Sequence, residues 1–202
     1  MQVNSEFTLP PLLGPSLWQF RAWAGSEQIR LSGAFIFERG RPFSQIKILG
    51  SNGPLRFSIP VKKHPPGASL ADIRIDHIQK WQNQIWRSLV SCYKKSPYFD
   101  FYEKELEILF YQKPDLLTEF TMPLFQWLLN QYFPTKPVSA ILAPESFGAS
   151  AGKPSHFFFE KPESSENQDW PYTQVFGQVF EGNLSMWDAL FCMGPKFGIV
   201  RN

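Results

Sequence analysis

The sequence has only two cysteines, Cys92 and Cys192, and three histidines in 202 residues. Two thiols cannot build the disulfide framework of a small secreted domain. Both sit in apolar helical patterns, so buried free thiols are expected. His64, His77 and His156 are spaced too widely for a metal-ligand pattern. Neither familiar glycine-rich phosphate loop occurs, and no cofactor is indicated. No stretch approaches the ~20 apolar residues needed to span a bilayer. The opening MQVNSEFTLPPLLGP lacks the basic flank and apolar core of a signal peptide, so a cytoplasmic location is the expectation. A formal net charge of +2 is too small for the strongly basic composition of many nucleic-acid binders.

What the chain does contain is aromatic and proline-rich, with 20 Phe, 7 Trp and 18 Pro. That much Phe and Trp implies burial against bulky neighbours, or an aromatic-lined pocket. The prolines imply short elements and argue against a long helical bundle. Most of the 20 Lys and Arg residues fall before Ser96, and most of the 18 Asp and Glu residues follow it. Such asymmetry either attracts an anionic ligand to the first part or lets the two parts neutralise each other.

The stretch 72–102 (DIRIDHIQKWQNQIWRSLVSCYKKSPYFDFY) organises the rest. Trp81, Ile85, Leu89 and Cys92 recur at helical spacing, widened by Trp86, Val90 and Tyr93. Asp76 with Gln79 reads as a capping box, and Ser96-Pro97 as the stop. Before it come a short strand at 7–9 and a helix opened by Gly14-Pro15-Ser16 with Leu17, Phe20 and Trp23 on its apolar side. A strand over 28–37 follows, loosened by Gly33. A hairpin joins 43–49 to 55–61 through Ser51-Asn52-Gly53-Pro54, with Pro60 ending the second strand or marking an edge. After it, Asp100 and Glu103 predict a second capped helix, ending near Gln112. Residues 116–133 form another helix, kinked or divided at Pro123. Residues 138–142 read as a buried strand, 145–168 as a mobile insertion and 172–180 as a strand. A last helix over 186–193 is opened by Asn183-Leu184-Ser185 and closed by Gly194-Pro195. The fold expected is α/β, a single domain spanning 1–202 with a mixed or largely parallel sheet, flanking helices and a β-hairpin. A segregated α+β layout is the alternative.

Several pieces together resemble the WbqC-like family of bacterial proteins. They are LRFSIPVKK, DIRIDHIQKWQNQIWRS, Tyr93 with SPYFDFY, the QVF beginning at Gln174, and NLSMWDALFCMGP. The resemblance covers most of the chain and identifies a divergent member. It implies a role in O-antigen or other surface-polysaccharide biosynthesis, and for one branch the transfer of glycine. The departures concern groups that ionise or hydrogen-bond. Pro10-Pro11-Leu12 stands where members carry a Gln-Pro-Tyr-like turn, and Gly33 and Ala34 where many carry acids. Gln45-Ile46 replaces an Arg/Asn pair, and Ile85 replaces a histidine. Such groups position phosphates or move protons, so either the chemistry sits elsewhere or this member is catalytically degenerate.

Six residues are candidates for substrate binding: Lys62, Lys63, His64, Trp81, Arg87 and Ser88. The first three form a basic loop suited to a phosphate or carboxylate, although a solvated turn is the blander account. Trp81 is a sugar platform or, more simply, a core anchor. Arg87 either binds an anion or pairs with Asp76, Asp100 or Glu103. No catalytic residue is identified. Three functions remain open: an enzyme of surface-glycan biosynthesis acting on a sugar or nucleotide-sugar, a non-catalytic binding or scaffold protein of that pathway, and a nucleic-acid module. The third is disfavoured because the basic residues are scattered.

Overall fold

Strand β2 (Gln28–Ser32) is the centre of a three-stranded parallel sheet. β1 (Glu6–Leu9) runs along one side of it, with Leu9 opposite Leu31. β5 (Val138–Ile141) runs along the other, with Val138 opposite Ile29. Ile29 and Leu31 share one face of the strand and are fully buried, while Gln28 and Arg30 on the other face are half-buried. Helix α1 (Leu17–Ala24) makes the crossover from β1 to β2 and buries Phe20 and Trp23. Its last carbonyls are held from a distance, because Lys136 Nζ donates to the oxygens of Trp23 and Ala24 at 3.0 and 2.9 Å. A cation at a helix C-terminus also complements the helix dipole. The computed structural model describes residues 6–141 and 171–195. The expected insertion at 145–168 lies outside the described residues.

The predicted strand 28–37 is shorter than its pattern. At Gly33 the chain leaves the sheet, and its carbonyl accepts from Ala71 N and Ser69 Oγ instead. A Cβ at Gly33 would lie 3.0 Å from that of Ala71. This close approach explains the glycine. The hairpin is antiparallel, β3 (Gln45–Gly50) with β4 (Gly53–Ser58), and Ser51-Asn52 form the two-residue turn. The positive φ falls on Gly53 at 110°. β4 ends before Pro60, as its missing N–H requires.

Helix α2 (Trp81–Tyr93) buries Trp81, Ile85, Trp86, Leu89, Cys92 and Tyr93, the stripe read from the sequence. Its expected cap is a different structure. Asp76 accepts from Ile78 N in a local turn, and the helix begins five residues later without a side-chain cap. Helix α3 (Phe99–Phe110) also lacks the predicted capping box, because Asp100 and Glu103 both reach back to Lys94 at 3.0 and 2.6 Å. Helix α4 (Leu117–Tyr132) runs undivided through Pro123. Three corrections concern the C-terminal part. Among the described residues β5 is an edge strand, with Ala140 exposed and Val138 and Ser139 half-buried, and not the buried strand expected. Residues 172–180 form no strand; the segment bends, and the Gln174 amide closes it by bonding both N and O of the Glu181 backbone. Helix α5 (Met186–Met193) forms where predicted, with Ser185 at its start and Gly194 at φ 76° closing it. Residues 186–192 are all buried, so α5 is the innermost helix described. Core packing runs through tilted and edge-on rings such as Tyr93 and Phe99 on Phe191. Each buried ring of this kind contributes about 1.5–3 kcal/mol by burial.

Candidate functional site

An octet as apolar as α5 contains one carboxylate, Asp188, and it is wholly buried. A buried carboxylate needs donors. The fold supplies three: Tyr93 Oη donates to Oδ1 at 2.6 Å, while Tyr172 Oη and Gln174 Nε2 donate to Oδ2. Tyr93 in turn accepts from Leu49 N at 3.1 Å. α2, α5, β3 and the segment 171–182 therefore meet at one anion. Burial raises the Asp188 pKa, opposed by the hydrogen bonds from Tyr172, Tyr93 and Gln174. Burial and the Asp188 charge push both tyrosines up as well.

In front of this network lies a cleft of about 880 Å³, between the end of α2, the segment 173–176 and the end of α5. Its wall is mixed. Val90, Val175 and Phe176 give it an apolar side, Ser91, Ser96, Thr173 and Gln174 supply hydroxyl and amide groups, and Lys94 and Lys95 stand at the rim. A smaller hollow of about 260 Å³ shares Ser91, Cys92 and Phe176 with it and adds Arg87 and Ser88. Lys94 is neutralised by Asp100 and Glu103. Arg87 makes no ion pair among the described residues, so of its two expected roles the pairing with Asp76, Asp100 or Glu103 does not form. The carboxylates of Asp100 and Glu103 are already taken by Lys94.

The two thiols also line the cleft, and both are free and buried. Burial, then the Asp188 charge, pushes Cys192 up to about 12 and raises Cys92. Both stay protonated at neutral pH, a poor state for nucleophiles. Asp188 is wholly buried behind its three donors, so it positions Gln174 and is out of reach of a ligand in the cleft as a general base.

The structure gathers two of the six sequence candidates here and places four elsewhere. Arg87 and Ser88 line the smaller hollow, although Ser88 Oγ donates to Gln84 O at 2.8 Å within its own helix. Lys62, Lys63 and His64 line neither cavity. Both lysines are exposed, and His64 packs edge-on against Phe37 at 5.2 Å. Trp81 is a core anchor, 3 % exposed and edge-on to Phe120, with no partner for its indole N–H. Asp188, Gln174 and Tyr172 are the residues that sequence reasoning missed. The available signal was a lone acid inside an apolar helix, which demands buried partners. Among the described residues no group of three or more His, Cys, Asp or Glu could hold a metal ion. Among them, no helix is long and apolar enough to cross a membrane.

These features define an α/β protein with a small parallel sheet, a β-hairpin and a helix-walled cleft backed by a buried acid. The WbqC-like protein family model matches residues 15–135, more than half of the chain, and the chain belongs to that family. The match spans α1 to α4 and stops before α5, so it includes Arg87 but not Asp188. Comparisons with curated proteins and with solved structures found no match.

Proposed function

We propose that the protein holds an anionic sugar derivative, such as a nucleotide-sugar, in the cleft between α2 and α5, as part of bacterial O-antigen or other surface-polysaccharide biosynthesis in the cytoplasm. The observation that carries this reading is Arg87, a guanidinium with no ion-pair partner among the described residues, beside a cleft of hydroxyl, amide and apolar groups. Arginine matches phosphate geometry in a bidentate manner, and an apolar wall with a few hydroxyls suits a sugar ring. The pathway is part of this proposal, and what supports it is the resemblance to the family. Glycyl or acyl transfer to the sugar is compatible with this site when it passes directly between two bound ligands.

A second reading, binding without catalysis, draws on one specific observation. The cleft thiols are protonated and Asp188 is wholly buried behind three donors, which disfavours a covalent intermediate on those side chains. Thermal unfolding of wild type and Arg87→Gln against a panel of nucleotide-sugars tests the binding claim. A ligand at a hundredfold its dissociation constant stabilises by about 2.7 kcal/mol. Stabilisation by at least one compound, reduced in Arg87→Gln, is the expected result. No stabilisation by any of them, or an unchanged response in the variant, overturns it. Product analysis with an added glycyl or acyl donor then separates transfer from binding alone.

A further inference from the structure

A second cavity lies away from the cleft, where the hairpin meets the starts of α1 and α5. It measures about 250 Å³ and shares no lining residue with the cleft or its hollow. Arg41, Lys47 and Arg56 line it, with the half-buried indole of Trp18, and among the described residues no carboxylate does. Lys47 and Arg56 are direct partners in the β3–β4 register. Like charges placed opposite each other cost stability, so a protein folding for stability alone gains nothing from this pair. Arg41 meets Glu38 and Lys47 meets Glu181, each at 3.1 Å, but neither acid lines the cavity. Arg56 is exposed and makes no ion pair or hydrogen bond among the described residues.

Three amides at the helix starts are already taken and do not contribute to this positive field. Ser16 N is bonded to Gln19 Oε1, Ser185 N to Lys47 O and Met186 N to Pro15 O. The side chains supply it. The space is too small for a whole nucleotide-sugar, which needs the upper part of the usual pocket range of about 300–1,000 Å³. It suits one phosphate with a ring beside it, the phosphate on the guanidinium groups and the ring against Trp18.

We propose that this cavity is a second ligand site, which binds the phosphate group of a small phosphorylated sugar through Arg41, Lys47 and Arg56. Lys47 pairs with Glu181, whose backbone exchanges two hydrogen bonds with the Gln174 amide on the cleft wall. The two cavities are thus linked through two residues, so the readout has to be local. The test is a titration of the full ¹⁵N-labelled chain with sodium phosphate and with glucose 1-phosphate at constant ionic strength. It follows the indole N–H signal of Trp18, assigned by its loss in Trp18→Phe. A saturable shift is expected with both probes, tighter with glucose 1-phosphate. Arg56→Gln, at an exposed and unbonded position, folds normally and weakens binding about tenfold or more, since a charged hydrogen bond is worth at least one decade of affinity. Arg87→Gln, in the other cavity, titrates at Trp18 like the wild type. The proposal is overturned if Trp18 shows no saturable shift, if Arg56→Gln titrates unchanged, or if Arg87→Gln abolishes the Trp18 response. Equal affinity for phosphate and glucose 1-phosphate removes the sugar from it.

Discussion

Tyr93 and Asp188 are 95 residues apart in the chain and meet at 2.6 Å, with neither side chain open to solvent. The same phenol accepts from Leu49 N, so one hydroxyl joins α2, α5 and β3. An apolar pair at this junction would pack the helices but would not hold Gln174 and Tyr172 against the cleft. The buried acid therefore sets the position of the cleft's back wall.

Tyr93→Phe removes that hydroxyl and leaves Leu49 N and Asp188 Oδ1 each short of a buried partner. A cost of about 2–4 kcal/mol is expected in urea unfolding, because both orphaned groups lose their desolvation compensation. Tyr172→Phe costs less, since Gln174 still donates to Oδ2 and Tyr172 is only partly buried. Equal effects of the two substitutions would show that the network does not centre on Tyr93.

Asp188 also sets a pH dependence. Its carboxyl is raised above 3.8 in the folded protein, chiefly by burial. Between the unfolded and folded values the native state binds more protons than the unfolded state, so this group's contribution to stability falls as pH rises through that window. Asp188→Asn removes the titration. Unfolding free energies for wild type and variant, measured at about pH 4 and about pH 7, should show the wild type losing ground to the variant at the higher value. A wild-type advantage that grows with pH contradicts burial as the dominant cause.

The thiols give a chemical check on the same charge. With Cys192 pushed up to about 12 and Cys92 raised, native protein should react with Ellman's reagent far more slowly than free cysteine. Both thiols should become reactive in urea. Because the Asp188 charge is a cause of both shifts, Asp188→Asn should speed the native reaction. A fast native reaction, at the rate of an exposed thiol, excludes the protonated buried state.

Helical period and turn chemistry were legible in the sequence because they depend on neighbours a few residues away. The stripe of Trp81, Ile85, Leu89 and Cys92, the Asn52-Gly53 turn, and the Ser185 and Gly194 boundaries of α5 are of this kind. The caps were misread for a tertiary reason. Asp100 and Glu103 carry a capping pattern, but Lys94 on the preceding helix competes for both. Arg87 was legible as a candidate, although the cleft beside it was not, because its far wall is α5 and the segment 173–176. Lys62, Lys63 and His64 drew attention by composition, which does not report the cavity a loop faces. Asp188 went unread because a polar residue in a first helical turn is usually a surface group, and only packing shows this one to be enclosed.

The tryptophans separate packing from hydrogen bonding. Trp187 Nε1 donates to Leu13 O at 2.7 Å, whereas Trp81 Nε1 is buried with no partner among the described residues. Replacing either by Phe removes a similar volume from the core. Only Trp187→Phe breaks a buried hydrogen bond, so it should cost about 1–2 kcal/mol more than Trp81→Phe. Urea midpoints compared at a common slope measure the difference. The reverse order would mean that the Trp81 indole has a partner.

Two glycines should respond to alanine in opposite senses. Gly25 follows α1 at φ −78° with nothing within 4 Å of a built Cβ, so Gly25→Ala is expected to stabilise by about 0.4–1 kcal/mol through the unfolded chain. Gly14 lies against β3, where a Cβ would sit 2.4 Å from Gln45 O and 2.9 Å from Ile46 Cα. Those are backbone atoms and cannot rotate aside. The loop cannot retreat either, because Leu13 N and Gly14 N both donate to Pro42 O. Gly14→Ala must therefore displace the start of β3, which carries the buried Ile46 and the cavity residue Lys47. A loss of about 3 kcal/mol is expected, at the upper end of typical overpacking costs. Since the same displacement moves Lys47 against Arg56, phosphate binding at Trp18 should weaken with it. A variant as stable as wild type would show that the close approach of Gly14 to β3 is not a constraint on the fold.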